Sequence, residues 1–239
     1  MNVSRLLKQR KAAARRISWP VLFMKAQALV AAEIPQLRRL FLRYPYPRIY
    51  EHPTTASRMT ISREVDGRNT VLLSRIYDVE EKSLVELDDT IRMLATKPVE
   101  EIELFQQQMD LARWPSFLRR FGWFVIANLR GPLRVNFLGT SLLTTVSKFG
   151  AVSINPPIIS ATTLSFGPID DEGNVDVYLA YDHRIFDGAI NAKALARLQE
   201  VLETLICDEL ASLQPDAEAK PQQHAEAAYA TVGAHSQPR

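Results

Sequence analysis

An α/β domain is the fold class this sequence predicts, on three observations. Short runs rich in β-branched and aromatic residues, at 57–65, 70–77, 160–167 and 177–182, read as strands. Between and after them, at 19–33, 83–97 and beyond 187, apolar residues recur at three- and four-residue spacing, the mark of amphipathic helices. The length of 239 residues suffices for one substantial core, and no linker divides the chain in its middle.

The start is basic, and Val3, Leu6 and Leu7 make an apolar stripe, so it is read as a first helix with Lys and Arg facing solvent. A signal peptide would need an apolar core there, and no apolar run is long enough to span a bilayer. Ser18 can cap a helix with Pro20 in its first turn, along which Leu22, Lys25, Ala26, Leu29 and Val30 alternate between core and solvent. Pro35 ends it near Glu33 and leaves a short second helix for Leu37, Leu40 and Phe41. Residues 44–54 read as loop by their prolines. Asp66-Gly67-Arg68-Asn69 joins the first two strands as a hairpin. Ser83 caps the next helix, with Leu84, Leu87, Ile91 and Leu94 on one face and Pro98 beyond its end.

Residues 100–112 read as helix, and residues 114–129, WPSFLRRFGWFVIANL, as an aromatic, basic segment broken at Gly122. The favoured reading packs the aromatic face of 114–129 on the core, with Arg119 and Arg120 in water. The other lays it on a membrane or along an acyl chain, because Trp and Phe beside Arg suit the water–lipid boundary. Asp170 to Asn174 is a hairpin loop between two strands. After about Ser212 the sequence turns polar and loses periodicity, so 1–212 is read as the domain and 213–239 as a disordered tail holding His224 and His235.

Composition removes several function classes. A net charge of +2 argues against bulk nucleic-acid binding. One cysteine, Cys207, leaves no disulfide framework and no cysteine metal site; a buried free thiol in a reducing, cytoplasmic setting fits, and no metal site is expected.

Chemistry concentrates in VYLAYDHRIFDGAIN, residues 177–191. Here a strand stops, His183 follows, and Asp187-Gly188 opens a helix with Leu195, Leu198, Leu202 and Leu205 on one face. Imidazole has the side-chain pKa nearest neutrality, so a histidine fixed in such a loop suits a general base. On these residues alone a solvated loop, with Asp187 serving only as a cap, is the favoured reading.

Asp182-His183-Arg184-Ile185-Phe186-Asp187-Gly188 resembles the DHRxxDG signature of the acyltransferase (E2) component of 2-oxo acid dehydrogenase complexes, whose HxxxDG core is shared with chloramphenicol acetyltransferase. Two further blocks are similar to that family in the same order. One is Asp78-Val79-Glu80-Glu81-Lys82-Ser83-Leu84-Val85-Glu86-Leu87. The other runs from Gly139-Thr140-Ser141 through Thr144-Thr145-Val146-Ser147-Lys148-Phe149-Gly150 to Ile154-Asn155-Pro156-Pro157.

The resemblance implies a two-layer sandwich of the chloramphenicol acetyltransferase type, a mixed sheet packed with helices, assembled as a homotrimer with sites between subunits. It assigns His183 as general base, Ser147 of the neighbouring subunit as the hydroxyl that steadies the tetrahedral intermediate, and Asp187 as the orienting carboxylate. Asn155, Gly188 and Arg184 fall on substrate-binding positions. The reaction implied moves an acyl group between coenzyme A, or another thioester carrier, and an unidentified acceptor. Coenzyme A serves as substrate, and no tightly bound cofactor, lipoyl group or nucleic acid is expected. Against the family pattern, the chain is expected to lack the first strand and a lipoyl domain, to carry an insertion near 99–134, and to have Lys148 where Asn is usual. These departures motivate two alternatives: a catalytically inactive scaffold or partner with the same fold, and a protein that binds membrane surfaces through 114–129.

Overall fold

The structure is a computed structural model and describes residues 1–65 and 67–213. It opens with helices α1 (Ser4–Ala12) and α2 (Trp19–Glu33), and a turn at Pro35–Arg38 feeds a hairpin of β1 (Arg39–Leu42) and β2 (Arg48–Glu51). Strands β3 (Ala56–Val65), β4 (Arg68–Leu73) and β5 (Ile76–Tyr77) follow, then helices α3 (Leu84–Thr96), α4 (Glu103–Arg113), α5 (Ser116–Asn128) and α6 (Gly131–Leu138). The described chain closes with β6 (Ser141–Thr145), β7 (Thr162–Ile169), β8 (Val175–Tyr181), α7 (Gly188–Glu203) and α8 (Leu205–Ser212).

The main sheet runs β4-β3-β6-β7-β8, with β5 paired to the start of β3. β3, β6 and β7 are parallel, while β4, β5 and β8 run against their partners. The register defines two ends. Ser57, Ser141, Thr162 and Tyr181 lie abreast at one, and Thr145, Phe166 and Val177 at the other. The β7–β8 turn is held by Asp170, whose Oδ1 accepts from the backbone N–H groups of Glu172 (3.0 Å) and Asn174 (2.7 Å). Gly173 occupies the left-handed region there at φ 84°, and a side chain would strike Ser4. Residues 1–3 pair with this turn: the Val175 N–H donates to Met1 O (2.9 Å) and the Val3 N–H to Gly173 O (2.7 Å).

Helix α2 forms the centre of the core. Phe23 stacks on Phe166 with ring centroids 4.2 Å apart, and Met59, Leu143 and Leu164 from the sheet join the same cluster. A smaller cluster of Leu40, Ala56, Val135 and Ala161 sits at the end where β6 begins, with Tyr50, Tyr77 and Ile185 packed against it. Ser83 caps α3 as its sequence predicts, accepting from the Glu86 N–H at 3.2 Å. Cys207 is a buried thiol, and burial pushes its pKa up to about 11.

Several sequence expectations give way. Leu40 and Phe41 lie in β1 rather than a helix, because β2, inside the predicted loop, pairs with them through Leu40 opposite Tyr50 and Phe41 opposite Ile49. The strand expected over 70–77 splits at Ser74, whose hydroxyl accepts from the Met59 N–H (2.8 Å) and breaks the run. Lys25 and Gln27 are buried, so α2 is covered nearly all round; Lys25 Nζ donates to the carbonyls of Glu80 (2.9 Å) and Lys82. Arg10 is likewise buried, its Nε donating to Ile17 O at 2.6 Å. The last helix stops at Thr204 and restarts, which leaves Leu205 exposed and takes Ile206, Cys207 and Leu210 inside. Helix α5 passes through Gly122 unbroken and buries Ile126, while its aromatic residues point out of the core, contrary to the favoured packing. Among the described residues no helix is long and apolar enough to cross a membrane. The expected tail, with His224 and His235, lies outside the described residues.

Candidate active site

The loop after β8 is fixed on both sides of His183. The Asp182 N–H donates to Ala161 O (3.2 Å), and its carboxylate accepts from Arg184 Nε (2.8 Å), Nη2 (2.6 Å) and backbone N–H (3.1 Å). The Ile185 N–H returns to Asp182 O (2.9 Å), and Phe186 is buried under Tyr181, with ring centroids 5.0 Å apart. His183, between these anchors, is exposed, its ring 5.6 Å from that of Tyr181. Asp187 caps α7 by accepting from the Ile190 N–H at 3.1 Å. A Cβ at Gly188 would meet the Tyr181 hydroxyl at 3.4 Å, close to an ordinary contact, so the helix start lies against the strand end without requiring glycine there.

Charge holds this loop to the rest of the fold. The Arg184 hydrogen bonds, against the effect of burial, keep the Asp182 carboxyl below the usual carboxylate range. The Arg184 guanidinium also lies 4.6 Å over the Phe41 ring of β1. Arg134 of α6 donates to Phe41 O (2.6 Å), Ala127 O (3.2 Å) and Ile159 O (3.4 Å), and so ties β1 and α5 to the approach to β7. Burial lowers its pKa, with Asp182 nearby opposing.

Ser147 follows β6 and opens a turn, Ser147–Phe149, closed by the Gly150 N–H on Ser147 O (2.9 Å). Thr145 Oγ1 lies 3.0 Å from both Ser147 Oγ and Phe166 O, and accepts from the Ser147 N–H (3.2 Å). Ser147 is half-buried and Lys148 exposed, its ammonium 4.8 Å from the Phe149 ring. Asn155 is exposed on the long connection to β7, next to the buried Pro156.

His183, Arg184, Asp187 and Gly188 thus gather at one corner, whereas Ser147 stands at the other end of the sheet. Tyr181 is abreast of Ser141, and Ser147 lies beyond Thr145. Four strand residues separate those levels, about 13 Å at ~3.3 Å per residue, and each side chain stays by its own strand end, Ser147 Oγ 3.0 Å from Thr145 Oγ1 and the His183 ring 5.6 Å from that of Tyr181. One chain does not bring His183 to Ser147.

Sequence reasoning missed Arg134, Phe41 and Thr145. The first two carried no local signal, since only the fold brings them to the His183 loop; Thr145 was visible as a hydroxyl two residues before Ser147. Among the described residues no three His, Cys, Asp or Glu side chains are grouped to hold a metal ion.

No protein-family model matches the chain. The mitochondrial dihydrolipoyllysine-residue acetyltransferase component 2 of the pyruvate dehydrogenase complex of Arabidopsis thaliana is 27% identical over 209 residues, 82% of this chain. The match spans about a third (33%) of that relative's length. The dihydrolipoamide acetyltransferase of Azotobacter vinelandii superposes with TM-score 0.55 at 15% identity, over 85% of this chain and 79% of that one. The cubic core of the pyruvate dehydrogenase multienzyme complex gives 0.53 at 17% identity, over 85% and 79%. A chloramphenicol acetyltransferase gives 0.52 at 16% identity, over 87% and 84%. The mixed sheet and its helical cover are therefore those of the fold shared by the E2 catalytic domains of 2-oxo acid dehydrogenase complexes and chloramphenicol acetyltransferase.

Proposed function

We propose that this chain is an acyltransferase that moves an acyl group between coenzyme A, or another thioester carrier, and a thiol or hydroxyl acceptor, as a homotrimer with sites between subunits. The observation that carries the reading is that His183 projects from a loop whose neighbours are fixed, at the sheet end away from Ser147. Groups so separated serve one reaction only if the histidine of one subunit meets the serine of another. The Azotobacter enzyme lends support: a serine, a histidine and an asparagine have been investigated in its catalytic mechanism, the asparagine four positions after the histidine. His183 and Asp187 have the same spacing.

In this mechanism the His183 imidazole takes the proton of the acceptor as its sulfur or oxygen attacks the thioester carbonyl. The tetrahedral oxyanion accepts a hydrogen bond from the neighbouring Ser147. With the Thr145 proton turned to Ser147 Oγ, the serine's own hydrogen points to the oxyanion. Collapse breaks the carbon–sulfur bond, and the departing thiolate takes the proton back from His183. General-base help of this kind is worth ~10²- to 10⁴-fold, and an oxyanion donor ~10²- to 10³-fold.

The test is thiol release from a panel of acyl-CoAs with hydroxylic acceptors and, because transfer to dihydrolipoamide leaves the number of thiols unchanged, chromatographic separation of free coenzyme A with that acceptor. Cys207, buried and poorly ionised, adds little background. His183→Ala is expected to lower the rate at least ~10²-fold. Equal rates for wild type and variant across the panel overturn the proposal.

A further inference from the structure

Helix α5 points its apolar side outward. Trp114, Phe117, Leu118, Phe121, Trp123 and Phe124 are all exposed, Phe117 at 69% and Phe121 at 66%. The stripe from Trp114 through Phe117, Leu118 and Phe121 to Phe124 follows helical spacing, on the side away from the buried Ile126. The β1–β2 hairpin extends the patch. Tyr44 packs on Phe124 with centroids 5.2 Å apart, the Tyr44 N–H donates to Asn128 O (3.3 Å), and Tyr46 is 65% exposed. Large exposed apolar patches on a folded chain mark interaction sites.

The charges around it are mostly positive, the exception on the hairpin being Glu51, paired to Arg39 at 2.8 Å. No Asp or Glu occurs from residue 111 to 169, nor between Glu33 and Glu51. Arg113, Arg120, Arg130 and Arg43 are exposed, and the guanidinium groups of Arg43 and Arg48 lie 5.7 and 5.4 Å over the rings of Tyr44 and Tyr46. Asp110, near the end of α4, is the acid that precedes α5 and is paired to Arg113 at 3.4 Å. Aromatic rings within a rim of arginines suit acyl chains below anionic headgroups, and 13 helical residues, about 20 Å at ~1.5 Å each, can lie along such a surface.

We propose that α5 and the β1–β2 hairpin dock this protein on an anionic phospholipid surface, aromatic face down. Charge complementarity selects this occupant over a second copy placed patch to patch, which would bring two arginine-rich rims together. The reading is independent of acyl transfer.

Co-sedimentation of the full chain with phosphatidylcholine vesicles, and with vesicles of equal phosphatidylcholine and phosphatidylglycerol, tests it. Binding is expected to the mixed vesicles, to fall with added salt, and to shift the emission of Trp114 and Trp123 to the blue. Phe117→Ser with Phe121→Ser should weaken it at least ~10-fold. Arg113→Gln and Arg120→Gln, which keep every aromatic ring, should each cost about fivefold. His183→Ala should bind as wild type does. Circular dichroism verifies that each variant is folded. Failure of the wild type to bind mixed vesicles, or equal binding by the folded Phe117→Ser/Phe121→Ser variant, overturns the proposal. So does an oligomer that this variant dissociates while wild type ignores vesicles, which assigns the patch to a second copy.

Discussion

Asp182 is only 8% exposed, and its partner Arg184 is largely in solvent. Because those bonds lower the carboxyl's pKa in the folded chain, the stability they contribute is present above the unfolded value of ~3.9 and is lost as pH falls through the folded value. Asp182→Asn should therefore cost about 1 kcal/mol at pH 7, a modest figure because water screens Arg184. The gap should close as pH falls below about 4. Urea midpoints of both proteins at pH 7 and pH 3 measure this; a gap that stays constant speaks against the ion pair. His183, Asp187 and Ser147 stood out in the sequence as candidates because a strand end, a cap and a resemblance marked them. Arg134 was not, since its partners Phe41 and Ile159 are distant in sequence. Lys25 misled for the converse reason: its helical position reads as solvent, but the carbonyls of residues 80 and 82 come to meet its ammonium.

Among elements, the ones with local punctuation were readable: α3 by Ser83, α7 by Asp187, and the β7–β8 hairpin by Asp170 and Gly173. β1 and β2 were not, because each is four residues long and exists through the other. Periodicity located the apolar stripe of α5 without saying which way it faces. Nor did Gly122 break that helix, since a single glycine costs it only ~1 kcal/mol. An added methyl there would meet the Trp114 ring at 3.7 Å, an ordinary contact. Gly122→Ala should then raise stability by about 0.5–1 kcal/mol, chiefly by restricting the unfolded chain. A lowered thermal midpoint would show that the helix does not run through residue 122.

For the whole molecule, the α/β class was legible from alternating strand and helix patterns, and the sheet order was not. Strand order depends on which segments meet: β3 and β6, joined along Ser57, Arg58 and Met59, lie 84 residues apart. That order sends β6 and β8 toward opposite ends of one sheet, which gives the proposed assembly a sharp test. Chains carrying His183→Ala and chains carrying Ser147→Ala, each nearly inactive, should regain about a quarter of wild-type activity when unfolded and reassembled together. In a random mixture one interface in about four joins an intact histidine to an intact serine. A site built within one chain would regain nothing.

The two ends of the sheet carry a further consequence for how such an enzyme is dosed. In the proposed assembly a lone chain would hold half of the machinery, so specific activity should decline on dilution into single chains. Surplus defective copies would poison good ones by occupying their neighbours' places. Catalytic output would thus report how many chains have found each other, as well as how many exist.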